Sequence, residues 1–336
     1  MNAAELAGLG PIRYKDGMRF DQPFIKLPIR FSTDALAAEV RALPKTAWVP
    51  HPSGYPGNDA VRLVTPGGQP TDAFEGPMRP TEFLQRCAYV MQIMAELGGV
   101  WGRSRLMGLG AGGEVPEHVD AHYHWRTHLR IHVPIITNPA VEFTCGGETV
   151  HMAAGECWLF DSFRWHEVHN RGHEHRVHLV LDSVVTDALW DLIEAAANGA
   201  EVRELQPGQR APTPLLFEQL NAPRVMSPWE IRCHAAFVLE QAEPHPRLAA
   251  VSRRLDRFAD GWSAICAQFG AGDEGIPAYR ALLAEGRQDI LAAGGDEIKL
   301  RNELQLLFVL DQLVFLPAIA VPQMASLNAG GQRLAS

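Results

Sequence analysis

The sequence predicts an α+β protein, a β-sandwich or small barrel followed by a helical unit. Three observations carry that expectation. Between Arg103 and Asp182, short alternating or apolar runs are separated by turn residues, the pattern of closely spaced strands. After Thr186 the pattern changes to the period of amphipathic helices and the strands stop. A length of 336 residues, at about 150 per domain, suits two units: 1–185 carrying the β core and 186–336 carrying the helices.

The elements follow in order. Thr33–Leu43 is a short amphipathic helix with Thr33 or Asp34 as its cap. Pro52–Met78 holds five Gly and five Pro in 27 residues, a density that predicts a long loop, either a lid or a passive surface segment. Pro80–Leu97 reads as a helix, with Phe83, Val90, Met91, Met94 and Leu97 at helical spacing. Strands are expected at 105–109, 129–136, 141–144, 149–152, 157–160, 167–169 and 175–182. The breaks between them are Gly112-Gly113, Asn138-Pro139, Gly146-Gly147, Gly155 and Asn170–Gly172. Helices are expected near 186–198, 228–242, 246–268, 277–293 and 297–315.

Composition narrows the function. Thirty Lys and Arg against 39 Asp and Glu give a net charge of −9 with no basic run, which argues against sequence-independent nucleic-acid binding. Five cysteines without a CxxC argue against a disulfide framework and a thiolate zinc site. The start, Met1–Glu5, lacks the features of a signal peptide, and Leu304–Val321 is interrupted by Gln305, Asp311, Gln312 and Pro317. A cytoplasmic protein with no membrane partner is expected. Of 14 histidines, eleven fall within 118–178, so the chemistry is expected there.

Strand periodicity sorts that cluster. Arg130-Ile131-His132-Val133 recurs as Arg176-Val177-His178-Leu179, and in a strand each set presents Arg and His on one face and apolar residues on the other. Buried arginines need anionic partners, internal or from a ligand. His118 and Asp120, two apart, share a face and with one later histidine complete a two-His-one-carboxylate triad suited to Fe(II). His166 and His169 are the candidates. His166 is favoured because a hairpin turn at Asn170–Gly172 would bring Arg176 back beside the metal, to grip a carboxylate by two hydrogen bonds. A keto acid that chelates iron and places its far carboxylate on Arg176 is 2-oxoglutarate. His122 and His124 continue the alternation, so a zinc site or a solvated strand edge stays open, as does a non-catalytic cupin-like module.

Glu117-His118-Val119-Asp120, Arg130–Pro134, Gly155–Phe163, His166-Glu167-Val168 and Arg176–Asp182 together resemble the aspartyl/asparaginyl β-hydroxylase family of Fe(II)/2-oxoglutarate dioxygenases. The likeness spans about 30–185, and the helical tail is similar to bacterial members that act on free amino acids, such as L-proline cis-4-hydroxylase. It implies a double-stranded β-helix (jelly-roll, cupin-like), with iron on His118, Asp120 and His166. It further implies Arg176 on the distal carboxylate of 2-oxoglutarate, and Arg130 and His132 facing cosubstrate or substrate carboxylates. The cofactors implied are Fe(II), 2-oxoglutarate and O2, with ascorbate as reductant in vitro. The interval from His118 to Arg130 is longer than in the animal members, and Tyr123, His124 and Arg126 within it are candidates to face substrate. The reaction implied is hydroxylation of a free amino acid or small derivative, with peptidyl Asp, Asn or Pro as the alternative. The helical tail either closes the site or forms a homodimer.

Overall fold

A computed structural model describes residues 21–320 and the backbone of 330–332; the expectation for Met1–Glu5 and the end of the Leu304–Val321 stretch lie outside the described residues. Among the described residues the chain divides into two compact units, one of 21–119 and 127–221, the other of 120–126 and 222–320. The β unit therefore extends past residue 185. A helix at 187–197 packs on its first strand, and the chain to Asn221 stays with it.

The β unit is built from two sheets. The strands in chain order are β1 (Phe24–Phe31), β2 (Val49–Pro50), β3 (Asn58–Pro66), β4 (Met78–Pro80), β5 (Val100–Leu109), β6 (Glu114–Asp120) and β7 (Leu129–Ile136). They continue as β8 (Val141–Cys145), β9 (Glu148–Val150), β10 (Glu156–Phe160), β11 (His166–Asn170), β12 (Arg176–Val184), β13 (Arg203–Leu205) and β14 (Leu216–Phe217). The large sheet runs β13-β1-β10-β7-β12-β5-β3-β2, with β14 on β5 and β4 on β3. The smaller sheet contains β6-β11-β8-β9. Consecutive strands β10, β11 and β12 alternate between the sheets, the winding of a double-stranded β-helix.

Each central strand of the large sheet has two characters. One face carries Leu63, Leu106, Ile131, Val133, Leu159, Leu179 and Leu181. These pack with residues of α1 (Thr33–Ala42), α3 (Ala88–Leu97) and α5 (Asp187–Ala197) into the main core. Burying each such aliphatic side chain stabilises by about 1.5–3 kcal/mol. The other face, toward the interior, carries the Arg and His of the repeated Arg-x-His pattern.

Several boundaries differ from those expected, each for a local reason. The cap of α1 is Ser32, whose Oγ accepts from the Ala35 amide. The 52–78 stretch contains β3, because Val61, Leu63 and Val64 have a buried sheet face to join. The 80–97 helix is broken into α2 (Glu82–Gln85) and α3. The Glu39 carboxylate of α1 accepts from the Tyr89 and Val90 amides, so a second helix start is satisfied there. Gly98, left-handed at φ 68°, closes α3.

The second unit consists of α4 (Tyr123–Thr127, to residue 126), α6 (Pro228–Gln241), α7 (Leu248–Phe269), α8 (Ile276–Ala292) and α9 (Leu306–Leu310). Ser227 caps α6, its Oγ accepting from the Glu230 amide at 3.1 Å. The helix expected over 297–315 starts only at Leu306 and ends in a π-type turn at Asp311–Phe315. Arg287 of α8 holds Asp311 there through two 2.7 Å hydrogen bonds. Trp262 anchors the bundle: its ring packs at a tilt against Tyr279, 4.4 Å between centroids, and it donates to the Met226 carbonyl at 2.8 Å.

Candidate metal centre and anion site

β6 and β11 are antiparallel neighbours in the smaller sheet, and His166 lies directly opposite His118. Their rings are 4.2 Å apart between centroids. Asp120, two residues beyond His118, shares its face. One ligand atom from each of His118, Asp120 and His166 lies within 4.8 Å of the others, so the three can hold one ion. Both rings are oriented for it. His118 donates from Nδ1 to the Pro116 carbonyl at 2.8 Å, and His166 from Nδ1 to the Arg164 carbonyl at 2.9 Å. Fixing that tautomer turns each Nε2 into the ligand atom. Burial, reinforced by His118, holds the His166 pKa well below the ordinary imidazole range, so its ring is neutral and able to ligate. The donor set fits a divalent iron with open positions.

The hairpin expected to return Arg176 beside the metal is a crossover instead. Asn170–Gly172 ends β11 in the small sheet, and β12 begins in the large one, because Arg176–Val184 finds partners on both sides in β5 and β7. Asn170 fixes the turn, donating through Nδ2 to the carbonyls of Leu109, Gly110 and Glu174. Nor do His122 and His124 share a strand face with Asp120, since β6 ends at Asp120 and α4 follows.

Arg176 is buried on the interior face. Its Nη2 donates to Nδ1 of His178 at 2.6 Å, while its Nε has no hydrogen-bond partner. Burial alone pushes the guanidinium down to about 9, with no carboxylate offsetting it. Next to it, His178 Nε2 and both ring nitrogens of His132 are buried without partners, the two rings 5.8 Å apart. Desolvation, aided by Arg176, holds both histidines well below their usual range. Four orphaned polar atoms side by side are unusual in a core, and an incoming carboxylate would accept from those that carry a proton. Phe143 and Phe160 connect this region to the metal triad: each ring packs on both His132 and His166.

Arg130 differs. It sits directly across from Asp182 on the β7–β12 ladder and donates to it from Nε at 3.0 Å and Nη2 at 3.4 Å. Its first anionic partner is therefore internal. The sequence shows Asp182 plainly but not the register that pairs it with Arg130. The substrate candidates lie in the second unit. Tyr123 donates from its hydroxyl to Glu230 and packs against His234, Arg126 places its guanidinium 4.0 Å over the Phe237 ring, and His124 is buried. Elsewhere His128 pairs with Glu218 at 2.9 Å and His175 with Asp59 at 3.0 Å. Asp161 forms a turn, accepting from the Phe163 amide and Arg164 Nε.

Two wound sheets bring H-x-D and a distal histidine together, with a buried arginine on the facing sheet, giving a double-stranded β-helix with a candidate metal site. Residues 62–185 match the family model for aspartyl/asparaginyl beta-hydroxylase. That match spans just over a third of the chain, and over it the chain resembles that family.

Among solved structures, a 2OG-Fe(II) oxygenase family oxidoreductase from Burkholderia pseudomallei is 16% identical, over 45% of this chain and 76% of its own, with a TM-score of 0.32. A predicted oxalate decarboxylase from Thermotoga maritima is 16% identical over 41% of this chain and 90% of its own, at 0.26. A double-stranded β-helix protein from Klebsiella pneumoniae is 19% identical over 24% and 62%, at 0.21. No curated protein matches the chain in sequence. Among the described residues, no helix is long and apolar enough to cross a membrane.

Proposed function

We propose that this chain hydroxylates an unactivated C–H bond of a free amino acid or small amino-acid derivative, using Fe(II), 2-oxoglutarate and O2. The observation that carries this reading is Arg176: a buried guanidinium beside unsatisfied imidazoles, joined by two phenylalanines to a triad able to hold iron. Once bound, iron and cosubstrate supply an oxidising equivalent by converting 2-oxoglutarate and O2 to succinate and CO2, one oxygen atom going to succinate and one to the substrate. The chain's own residues do the rest. His118, Asp120 and His166 would hold the metal through one ligand atom each. Arg176 binds the distal carboxylate, with His178 fixing the guanidinium plane. Phe143 and Phe160 keep water from the space between.

We assign this activity to the cytoplasm, with a small molecule rather than nucleic acid or membrane as partner, and ascorbate as the in vitro reductant. The test is coupled turnover. Protein supplied with Fe(II), ascorbate and 2-oxoglutarate, screened against free amino acids and short peptides, should yield succinate and a product heavier by one oxygen atom. Products from peptides alone would move the reading to peptidyl Asp, Asn or Pro. No succinate with any substrate, together with no binding of 2-oxoglutarate, would overturn it.

A further inference from the structure

The segment that belongs to the helical unit starts at a metal-ligand candidate. Asp120 opens the stretch 120–126, which groups with the helices from residue 222 onward. Within it α4 is a single turn of helix, and a helix that short has no stability of its own. His122 supports the turn locally: its Nδ1 accepts from the His124 amide at 3.1 Å, and its carbonyl from the Trp125 amide at 3.1 Å. The rest of its conformation is decided by what α4 packs on.

That partner is α6. Tyr123 and Arg126, three apart, share one face of α4, and Glu230, His234 and Phe237, at i, i+4 and i+7, share one face of α6. The two faces match. The Tyr123 hydroxyl donates to Glu230, the Tyr123 ring sits edge-on to His234 with centroids 5.5 Å apart, and the Arg126 guanidinium lies 4.0 Å over the Phe237 ring. Burial raises the Glu230 pKa, but the pull of His234 and of the Tyr123 hydroxyl outweighs it and holds the carboxyl below its ordinary range. The bond from Tyr123 is therefore charge-assisted, about twice as strong as one between neutral groups.

α6 is itself anchored. Ser227 caps it, and Met226, one residue earlier, accepts from Trp262 through its carbonyl and donates its amide to the Ala318 carbonyl at 2.8 Å. Only Ala121 and His122 separate Asp120 from clamped Tyr123, and Ala121 is buried, which leaves that stretch of chain little room to shift. A metal ligand works only when held to within about 0.5 Å of its productive place.

We infer, on the reading of His118, Asp120 and His166 as a metal centre, that Tyr123 and Glu230 are positioning residues for Asp120. Through the grip of α6 on α4, the helical unit fixes the carboxylate that completes the triad. Neither residue is a metal ligand, and both act through the backbone that follows Asp120.

The test needs no turnover. The full chain, without oxygen, is titrated with Co(II) and followed by its visible absorption bands. Tyr123→Phe, which removes one oxygen and keeps the ring, should weaken Co(II) binding by about fivefold or more and change the shape of the bands at saturation. Glu230→Ala should do the same, and Glu230→Gln, which still accepts from the hydroxyl, should recover most of the loss. Because the two residues act through one bond, the double variant Tyr123→Phe/Glu230→Ala should bind within about twofold of the weaker single. Arg232→Ala, on the same helix but paired with Asp260 at 2.7 Å, should bind as the unaltered protein does. Should Glu230→Ala not fold, Tyr123→Phe alone carries the test.

Unchanged affinity and spectrum in folded Tyr123→Phe would overturn the inference. So would losses that add in the double variant, a Glu230→Gln no better than Glu230→Ala, or an equal loss in Arg232→Ala. Each of these leaves the hydroxylase reading standing. If the unaltered protein binds no Co(II), the metal centre itself fails, and the inference falls with it.

Discussion

The two faces of the large sheet are made by the same strands and do opposite work. On β12, Val177, Leu179 and Leu181 pack outward against helices, while Arg176, His178 and Asp182 alternate with them and face inward. The outward face lowers the free energy of folding through apolar burial. The inward face carries buried charges and orphaned imidazoles, which cost stability until a ligand or ion arrives. Period-two alternation lets one strand serve both ends, so an outward substitution should harm folding and an inward one chemistry, except where the inward residue has an internal partner.

The sharpest break of that comparison is at the metal. Asp120→Ala or His166→Ala should reduce succinate formation by about a thousandfold or more, since losing a ligand removes the metal-centred chemistry. Metal content of the purified variant checks the cause, and a thermal melt of the metal-free protein should shift little. Full activity in either variant would remove it from the triad. Next in size is Asp182→Ala. It strips the carboxylate from Arg130 in a buried setting, where breaking a pair costs about 3–5 kcal/mol. Urea unfolding should show that loss, an inward position behaving as structural because its partner is internal. On the outward face, Leu179→Ala, with no exposed surface, should cost about 2–5 kcal/mol in the same experiment. The affinity of its folded fraction for 2-oxoglutarate should not change.

Parity is also what made the site legible. Alternation alone, read from residue spacing, places Arg130 with His132 and Arg176 with His178, and puts the H-x-D pair on one face. It does not encode which strands become neighbours. The pairing of His166 with His118, and of Asp182 with Arg130, comes from the register of strands far apart in sequence, set by the whole core. β3 was hidden for a related reason. The glycines and prolines around it mark turns, while the buried valines and leucine that make it a strand are too few to outweigh them in a composition count. The segment 120–126 reads as a continuation of a strand, yet Tyr123 and Arg126 find partners in α6, over a hundred residues on.

The pH dependence sharpens the contrast further. His51, His132 and His178 all have pKa values lowered by burial, His51 to about 3. A lowered histidine pKa means that the unfolded chain binds a proton the folded chain refuses. Stability is therefore full above about pH 6.5, the unfolded value, and falls as the pH drops below it. Each such histidine contributes a slope of up to about 1.4 kcal/mol per pH unit in that window. Urea midpoints measured from pH 7.5 to 5 should decline, and His178→Gln should flatten the decline. An outward substitution such as Leu179→Ala should lower the whole curve without changing its slope.

The smallest effect belongs to the helices that cover the outward face. Ser32 accepts from the Ala35 amide through its hydroxyl, and its own amide donates to the Tyr89 hydroxyl at 2.8 Å. Ser32→Ala keeps the second contact and removes the first, leaving one amide of the first turn of α1 without its cap. Such a loss typically costs about 1 kcal/mol. Since α1 delivers Leu36 and Val40 to the apolar face and nothing to the interior, the variant should unfold at slightly lower urea with metal and 2-oxoglutarate binding unchanged. A changed 2-oxoglutarate affinity in Ser32→Ala would mean that the two faces are coupled through the sheet, and the division of labour by parity would have to be abandoned.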